Sequence, residues 1–385
     1  MPNSSRRQFL SAGLALPVAG AAMNFGLSAA AEPATSAAAP KLDYRVLGKT
    51  GLKLTTVGFG CMITSDPSVI TRAADLGVNL FDTARGYQHG NNERMVGAAL
   101  GAKRKQIVLS TKSPSHDKAA LLKDLETSLS ELKTDYVDIW YLHARDKVED
   151  INDEMLEAQQ IARQQGKIRF AGMSTHALPK MAHWTVEKKA FDVVLSVCNF
   201  SLDQSMHDAI AAVAATGTGV VGMKVMAGGF RSVKPTDPLY PRLHRDGAML
   251  AALKWVLNKP HIATTIPSMT DMDQLDENLR AMAEPFSPAD GKVLAAHLEQ
   301  IRPLYCRMCG QCDGACQKGL PVADMLRILS YADGYRQFAL ARERFQELGA
   351  RHTAVRCGDC AQCTVQCPHG VQVAARLGRA QEMLG

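Results

Sequence analysis

The spacing of cysteines near the C-terminus constrains this 385-residue chain more than any other feature. Eight of its ten cysteines lie between residues 306 and 367, and Cys61 and Cys198 stand alone earlier in the chain. The eight form two copies of one spacing, with two, two and three residues between successive members: Cys306, Cys309, Cys312 and Cys316, then Cys357, Cys360, Cys363 and Cys367. Disulfide frameworks are spread through small domains, so this crowding predicts a metal site.

The spacing also bears on which metal is bound. Structural zinc sites usually divide their ligands into two separated pairs, whereas each motif here places four cysteines within eleven residues. The double motif, which closes with Cys367-Pro368, resembles a bacterial-type ferredoxin with two 4Fe–4S clusters, in which the last cysteine of each motif completes the other cluster. The resemblance implies two ligand sets, with zinc as the alternative: Cys306, Cys309, Cys312 and Cys367, and Cys357, Cys360, Cys363 and Cys316.

The residues between the two motifs predict helices. Met325, Leu329, Phe338 and Phe345 are among the apolar side chains that recur there at helical spacing. We therefore expect a mostly helical ferredoxin-like module over residues 285–385, larger than a minimal ferredoxin.

The N-terminus has the pattern of an export signal. Arg6-Arg7 is followed by Phe9-Leu10 and a short apolar run, and then by the small residues Ala29-Ala30-Ala31. This predicts a twin-arginine signal peptide over residues 1–31 and a linker over 32–42, so that the export machinery delivers a folded protein to the periplasm. A chance arginine pair is the alternative. The apolar run is too short for stable membrane insertion, and a net charge of +6 without a basic run argues against nucleic acid as a partner.

From residue 43 the chain alternates strand and helix patterns. A hairpin over 44–54, with Gly48 and Gly51 in its turn, precedes eight strand candidates at 55–59, 79–83, 106–112, 136–143, 168–174, 193–200, 220–225 and 262–267. Eight such units over 43–284 predict an α/β fold, a (β/α)8 TIM barrel. A doubly wound sheet is the alternative, but no G-x-G-x-x-G turn follows the first strand.

Functional groups of such a barrel lie at the carboxyl ends of its strands. The second, third and fourth strands end in or near Asp82, Lys112 and His143, and Tyr87 lies in the loop after Asp82. A lysine ammonium stabilises a phenolate and lowers the pKa of a nearby tyrosine. The set therefore suits proton donation by Tyr87 to a carbonyl oxygen that His143 orients, with Asp82 holding Lys112.

These residues belong to longer motifs that resemble the aldo–keto reductase family: Phe81-Asp82-Thr83-Ala84-x-x-Tyr87-x-x-Gly90-x-x-Glu93, Ser110-Thr111-Lys112, Tyr141-Leu142-His143 and Gly166-Lys167-Ile168-Arg169. The resemblance implies a small carbonyl or alcohol substrate, NAD(P)(H) as cofactor, and catalysis by Asp82, Tyr87, Lys112 and His143. It also implies that Ser174 and Asn199 contact the nicotinamide, Ser268 and Asn278 the adenosine end, and Lys224 and Arg231 the pyrophosphate.

The nucleotide site departs from the family pattern in two respects. Leu195 stands where a glutamine is usual, and no aromatic residue follows the seventh strand to stack on the nicotinamide. The segment Ser268-Met269 to Asp271 has no cation for a 2′-phosphate, and the aspartate would repel one, so we expect NAD over NADP.

Two functions of different class follow. The first is an exported redox enzyme in which the barrel is coupled to two clusters and a one-electron partner. The second is an iron–sulfur electron-transfer protein whose barrel is inactive; clusters that only stabilise the tail are a further reading. Cys61 and Cys198 are expected to be buried thiols. A helix beginning at Ser287-Pro288 is long enough to return the chain to the catalytic face, so the cysteine module is expected there.

Overall fold

The computed structural model describes residues 40–230 and 247–385. The predicted signal peptide with Arg6 and Arg7, and most of the predicted linker, lie outside these ranges, and so does Arg231.

Eight parallel strands close into the predicted barrel. Each strand after the first pairs in parallel with the strand that precedes it in the sequence. Parallel bridges from Val57 to Thr265 and from Gly60 to Ser268 join the first and last strands and close the ring. The strands are β3 (Phe59–Gly60), β4 (Leu80–Asp82), β5 (Val108–Ser113), β6 (Val137–Leu142), β7 (Ile168–Thr175), β8 (Val193–Val197), β9 (Gly219–Met223) and β10 (Thr264–Thr265).

The predicted first strand is displaced. Thr55 was expected in the barrel but ends the antiparallel hairpin of β1 (Tyr44–Val46) and β2 (Lys53–Thr55), where it pairs with Tyr44. The barrel strand begins only at Phe59. The apolar run from 55 to 59 is shared between the hairpin and the barrel, which periodicity alone does not reveal.

The hairpin closes the amino end of the barrel. Leu47, Leu52 and Leu54 pack into the core inside the barrel, with Leu80 and Val193 among its members. Gly48 has a φ of +47°, and a Cβ there would lie 2.4 Å from the Gly217 carbonyl oxygen, so only glycine fits this close approach. With this end plugged, access is left at the carboxyl ends of the strands.

Helices surround the barrel and bury one face each. In the helix Lys118–Leu132, for example, Leu121, Leu125, Leu129 and Leu132 are buried at helical spacing and face the strands. The barrel helices are Pro67–Asp75, Asn91–Leu100, Lys118–Leu132, Asp153–Gln164, Leu178–Lys188, Gln204–Ala215, Ala248–Leu257 and Met272–Ala283.

The C-terminal module is helical and lies over the carboxyl ends of the barrel strands, as predicted. Ser287 caps the helix Pro288–Ile301 by accepting from the backbone N–H of Asp290, and Leu294 packs that helix against the barrel. The Arg344 guanidinium donates to the Gly86 carbonyl at 3.0 Å, one residue before Tyr87. The helices after Ile301 are Val322–Asp333, Phe338–Gln346, Ala350–Thr353 and Val373–Leu384.

Within residues 40–230 and 247–385, no helix combines the length and the apolar character that crossing a bilayer requires.

Candidate active site

The four residues of the predicted tetrad come from neighbouring strands and share one cavity. Asp82 ends β4, Lys112 lies near the end of β5, and His143 follows β6. Tyr87 begins a single helical turn, Tyr87–Gly90, just after β4. All four line the same cavity at the carboxyl end of the barrel.

Asp82 and Lys112 form a buried ion pair. The Lys112 ammonium donates to Asp82 Oδ2 at 2.5 Å and to the Thr83 carbonyl at 2.7 Å, and both charged side chains are at most 3 % exposed. The Ser110 hydroxyl donates to the other carboxylate oxygen at 2.6 Å. Burial is the largest single influence on the pKa of Lys112 and lowers it, but the charges and hydrogen bonds of Asp82 and Tyr87 together outweigh burial and raise that pKa above its ordinary value. Lys112 is therefore charged throughout the neutral range.

The Tyr87 phenol lies over this charge. The Lys112 Nζ atom is 4.9 Å from the centroid of its ring. Burial raises the pKa of Tyr87 above its ordinary value, while Lys112 lowers it and so opposes that effect. From the sequence we expected only that Lys112 lowers the pKa of Tyr87. In the structure burial has the larger effect on this pKa, so Tyr87 is protonated at neutral pH and has a proton to donate.

His143 meets the Tyr87 ring edge to face, with 5.8 Å between ring centroids and an interplanar angle of 80°. Burial, with the nearby Lys112 charge, lowers the pKa of His143 well below its ordinary value. The imidazole is therefore neutral near pH 7 and is able to donate a hydrogen bond to a substrate without carrying a charge.

A buried hydrogen-bond network behind the tetrad fixes the Tyr87 loop. This role of the network was not predicted from the sequence. Glu93 is fully buried, accepts from the Thr111 hydroxyl at 2.6 Å and pairs with Arg85. The Asn92 amide accepts from the Thr83 hydroxyl at 2.6 Å and donates to the Cys61 carbonyl at 2.8 Å. The sequence motif from Asp82 to Glu93 indicates this role, because its last residue, Glu93, is the acid that holds the Tyr87 loop through Arg85.

The cavity is large and has two sources of wall residues. Its volume is about 1370 Å³, above the range of roughly 300–1,000 Å³ usual for small-ligand sites. The strand ends form its floor. The helices Val322–Asp333 and Phe338–Gln346 of the C-terminal module contribute further lining side chains, including Arg327, Tyr331 and Arg344. The space suits a dinucleotide together with a small substrate.

The structure separates the two residues expected at the nicotinamide. Ser174 lines the cavity, where its hydroxyl accepts from the backbone N–H of Ala144 at 2.8 Å. Asn199 is fully buried, and its amide donates to the Lys224 carbonyl at 3.0 Å and to the Tyr305 hydroxyl at 3.1 Å. Its oxygen accepts from the Ser201 hydroxyl at 2.7 Å. The Asn199 amide is thus committed within the protein and does not face the cavity.

The residues expected at the adenosine end fit a ligand better. Ser268 lines the cavity. Asn278 is fully buried in the helix Met272–Ala283, yet neither its amide nitrogen nor its amide oxygen has a hydrogen-bond partner in the described part of the chain. Asn278 does not line the cavity itself, although its neighbour Glu277 does. Buried amides are rarely left unpaired, and a nucleotide bound against this wall would supply the missing partner.

Lys224 also lines the cavity, but its side chain points to the C-terminal module. Its Nζ atom lies 3.3 Å from the Tyr331 hydroxyl. Tyr331 stacks on Tyr335, with 5.8 Å between centroids and an interplanar angle of 20°. From the sequence no aromatic residue was expected near the end of the seventh barrel strand. Tyr331 and Tyr335 were missed because they come from a helix about a hundred residues further along the chain.

The eight C-terminal cysteines gather into two sets. Burial raises the pKa of Cys306 to about 12, and negative charge on Cys312, Cys309 and Cys367 contributes to the rise. Burial likewise raises the pKa of Cys357, with contributions from Cys363, Cys316 and Cys360. A small cavity is lined by the second set, Cys316, Cys357, Cys360 and Cys363. The fourth cysteine of each motif therefore lies with the first three of the other.

All ten cysteines are free of disulfides. In the described residues, no three Cys, His, Asp or Glu side chains are grouped closely enough to hold a metal ion. Each set brings four thiols together, which is the kind of donor that a 4Fe–4S cluster takes.

Cys61 and Cys198 are buried thiols, as expected. Burial raises the pKa of Cys61 far above its ordinary value and that of Cys198 to about 12. Both are therefore protonated and unreactive.

Comparison with known proteins agrees with this geometry. The sequence model described as Aldo/keto reductase family matches residues 65–299, which is more than half of the chain. The chain belongs to the aldo/keto reductase family. That match covers Asp82, Tyr87, Lys112 and His143 and ends before the first of the eight C-terminal cysteines.

Two curated relatives and one solved structure illustrate the likeness. The chain is 28% identical over 299 residues to "Uncharacterized oxidoreductase YqkF" of Bacillus subtilis, covering 66% of this chain and 96% of the relative. It is 28% identical to "L-galactose dehydrogenase" of Arabidopsis thaliana, covering 63% and 89%. The holo form of aldo-keto reductase AKR11C1 from Bacillus halodurans superposes with a TM-score of 0.58 at 26% identity, over 66% of this chain and 96% of that chain. The protein is accordingly an oxidoreductase of the aldo/keto reductase family.

Proposed function

We propose that this protein interconverts a small carbonyl compound and its alcohol with NAD(P)(H), using Asp82, Tyr87, Lys112 and His143. The observation that carries the proposal is the buried Asp82–Lys112 ion pair placed beneath a protonated Tyr87 and beside a neutral His143. Acid, stabilising cation and hydrogen-bond donor are the three functions that proton transfer to a carbonyl oxygen needs.

In the reducing direction a bound nicotinamide supplies the hydride to the carbonyl carbon. The neutral His143 donates a hydrogen bond that orients the carbonyl oxygen. Tyr87 donates its proton to that oxygen, which yields the alcohol, and solvent restores the proton afterwards. Lys112 stabilises the phenolate that Tyr87 becomes, and Asp82 keeps the ammonium in place.

The nucleotide contacts proposed for this chain are Ser174, Ser268 and the unpartnered Asn278. NAD is favoured over NADP because Asp271, which also lines the cavity, would repel a 2′-phosphate. We do not include Asn199, whose amide is already satisfied by Tyr305 and Lys224.

Assays of the parent and the Tyr87→Phe variant test this function. Both are incubated anaerobically with NADH or a reduced viologen and a panel of small aldehydes and ketones. Loss of the phenol proton should lower the rate of reduction about 100- to 10,000-fold, while NADH binding stays unchanged because the hydroxyl acts in the chemical step. Equal rates in the parent and the variant would remove Tyr87 from the mechanism.

We further propose that residues 43–284 are the catalytic barrel and that residues 285–385 bind two 4Fe–4S clusters. When bound, the clusters supply one-electron transfer to a redox partner. The chemistry of the donors supports this: each set offers four thiols. Cys312→Ser and Cys316→Ser alter the same motif but should damage different clusters, which electron paramagnetic resonance of the reduced protein distinguishes. Loss of the same cluster in both variants would reject the exchanged ligand sets.

Export is proposed from the sequence alone. Residues 1–31 would serve as a twin-arginine signal, residues 32–42 as a linker, and the protein would reach the periplasm folded. Replacing Arg6 and Arg7 together by lysine keeps the charge but removes both guanidinium groups. We expect the precursor to accumulate in the cytoplasm, and normal amounts of mature periplasmic protein would refute the assignment.

A second candidate is an electron-transfer protein whose barrel is inactive. It is favoured by the committed Asn199 amide and by the apolar Leu195 in the cavity, both at positions where the family usually holds the nicotinamide. This candidate predicts no carbonyl reduction by the parent, with cluster reduction unaffected by Tyr87→Phe. The same assay therefore separates the two functions.

A further inference from the structure

Two cations converge on one phenol in the wall of the catalytic cavity. The Tyr331 hydroxyl accepts from Lys224 Nζ at 3.3 Å and from Arg327 Nη1 at 3.0 Å. Lys224 belongs to the barrel, in the loop after β9, whereas Arg327 and Tyr331 belong to the module helix Val322–Asp333. The docked module thus completes a cationic cluster at the catalytic face, which we call the Tyr331 cluster.

The charge of this cluster is only partly compensated. Arg327 also donates to Asp324 at 2.7 Å. Lys224 contacts the hydroxyl and the ring of Tyr331, and none of the described carboxylates forms an ion pair with it. A second carboxylate, Asp146, lies near enough for Arg327 to help lower its pKa, but it does not pair with Lys224. The Lys224 ammonium is therefore left without a carboxylate partner among the described residues, beside a phenol that is only 5 % exposed. While the Tyr331 hydroxyl is protonated, the two cations around it repel each other, and an anion between them removes that cost.

The walls of the cavity differ in charge among the described residues. The helix Met272–Ala283 and its cap contribute Asp271, Asp273 and Glu277. The module wall contributes Arg327, Arg336 and Arg344 against one carboxylate, Glu347. Burial is the largest cause that lowers the pKa of His143, and Arg344 acts with Lys112 in the same direction. An anionic group is therefore attracted to the module wall, close to the tetrad.

We propose that Lys224 and Arg327 bind a carboxylate of the substrate, so that the protein acts on oxo acids and the corresponding hydroxy acids. This inference rests on the proposed carbonyl reduction at Tyr87. The Lys224 ammonium carries one charge and has no carboxylate partner among the described residues. It therefore matches a carboxylate, which is a monoanion, better than a phosphate group with about −1.5 to −2. Binding one end of the substrate at the Tyr331 cluster leaves its carbonyl oxygen for Tyr87 and His143.

The backbone around Lys224 is built to keep this side chain in place. Lys224 has a φ of +54°, a conformation that non-glycine residues rarely adopt. Its carbonyl accepts from the Asn199 amide at 3.0 Å, and that amide is in turn held by Tyr305 of the module. The Asn199 side chain therefore positions Lys224 and ties the cluster to the docked module.

Oxamate tests the proposal, because it carries a carboxylate next to a carbonyl and is not reduced. Its affinity for the full-length protein with bound NADH is measured by calorimetry. Lys224→Met and Arg327→Gln should each weaken oxamate binding about 10-fold or more, since each removes a charge-assisted hydrogen bond. Arg336→Gln is the matched control: it removes a charge from the same wall but does not contact Tyr331, and its affinity should stay within about 2-fold of the parent.

NADH affinity and the melting temperature are measured for each variant. Arg327→Lys keeps the charge and should retain most of the oxamate affinity. If Arg327→Gln does not fold, the comparison of Arg327→Lys with Lys224→Met tests the proposal in its place. Unchanged oxamate binding in Lys224→Met, or weakened NADH binding in its place, would overturn the proposal. So would a parent that binds no oxamate.

Failure of this inference is distinguishable from failure of the proposed function. Pyruvate and its neutral methyl ester serve as matched substrates. A parent that binds oxamate but reduces neither compound would retain the anion site and lose the proposed function. A parent that reduces methyl pyruvate but binds no oxamate would retain the function and lose the anion site.

Discussion

Gly334 is the position where the docking of the module on the barrel is most sensitive to a single atom. It follows the helix Val322–Asp333 with φ −95° and ψ −59°, values that alanine adopts without strain. A Cβ atom there would nevertheless lie 1.8 Å from the carbonyl oxygen of Gly228, in the loop after β9. Real Cβ atoms keep at least about 3.0 Å from such an oxygen, so Gly334→Ala must push the two backbones more than an ångström apart.

We expect this substitution to loosen the module without unfolding the barrel. Overpacking of this kind typically costs about 1–3 kcal/mol, and the displacement is enough to break the 3.3 Å contact between Lys224 and Tyr331. Hydrogen exchange of the helices Val322–Asp333 and Phe338–Gln346 measures the effect and should accelerate, while the barrel strands stay protected.

The matched control is Gly378→Ala in the helix Val373–Leu384 of the same module. Nothing lies within 4 Å of its added Cβ. Alanine is the better helix former by about 0.5–1 kcal/mol, so this variant should be slightly stabilised, with unchanged exchange. If Gly334→Ala behaved like Gly378→Ala, the close contact between module and barrel would be wrong.

Three further substitutions test the site. Lys112→Met leaves the Asp82 carboxylate buried without its cation, which should cost about 3–5 kcal/mol in the free energy of unfolding; adding Asp82→Asn should restore stability in denaturant titrations but not activity. Burial raises the pKa of Tyr331, but Lys224 and Arg327 lower it to about 7, so above that pH the phenolate competes for both cations and oxamate binding should weaken. Calorimetry across pH 6–9 should show this weakening of oxamate binding in the parent and not in Tyr331→Phe. Equal pH profiles for the two proteins would show that ionisation of Tyr331 is not its cause. Asn278→Leu removes two unpartnered buried polar atoms, so the nucleotide-free protein should melt higher and bind NADH more weakly; unchanged NADH affinity would remove Asn278 from the site.

Much of the catalytic face was predictable because strand ends are local features. Asp82, Lys112 and His143 each follow a short apolar run, and parallel strands bring such positions to one edge of a barrel. The resemblance of the repeated cysteine motif to a ferredoxin likewise implied which cysteine of one motif lies with three of the other. In both cases the sequence pattern extends over only a few residues.

Long-range contacts account for what the sequence did not predict. The Asn199 amide looked available for a nicotinamide, but the Tyr305 hydroxyl, 106 residues away, occupies it. Lys224 was expected at the pyrophosphate, yet its partner Tyr331 lies 107 residues further on. Neither pairing leaves a trace in local periodicity, because each depends on how the module docks on the barrel.

We propose that one protein combines a carbonyl-reducing barrel with a module that binds two clusters. The metal content of the purified protein is the most direct test of this combination. Protein purified anaerobically should be brown, with broad absorbance near about 400 nm and about eight irons and eight sulfides per chain, as two 4Fe–4S clusters require. A colourless protein with about two zinc ions per chain, or with no metal, would contradict the account.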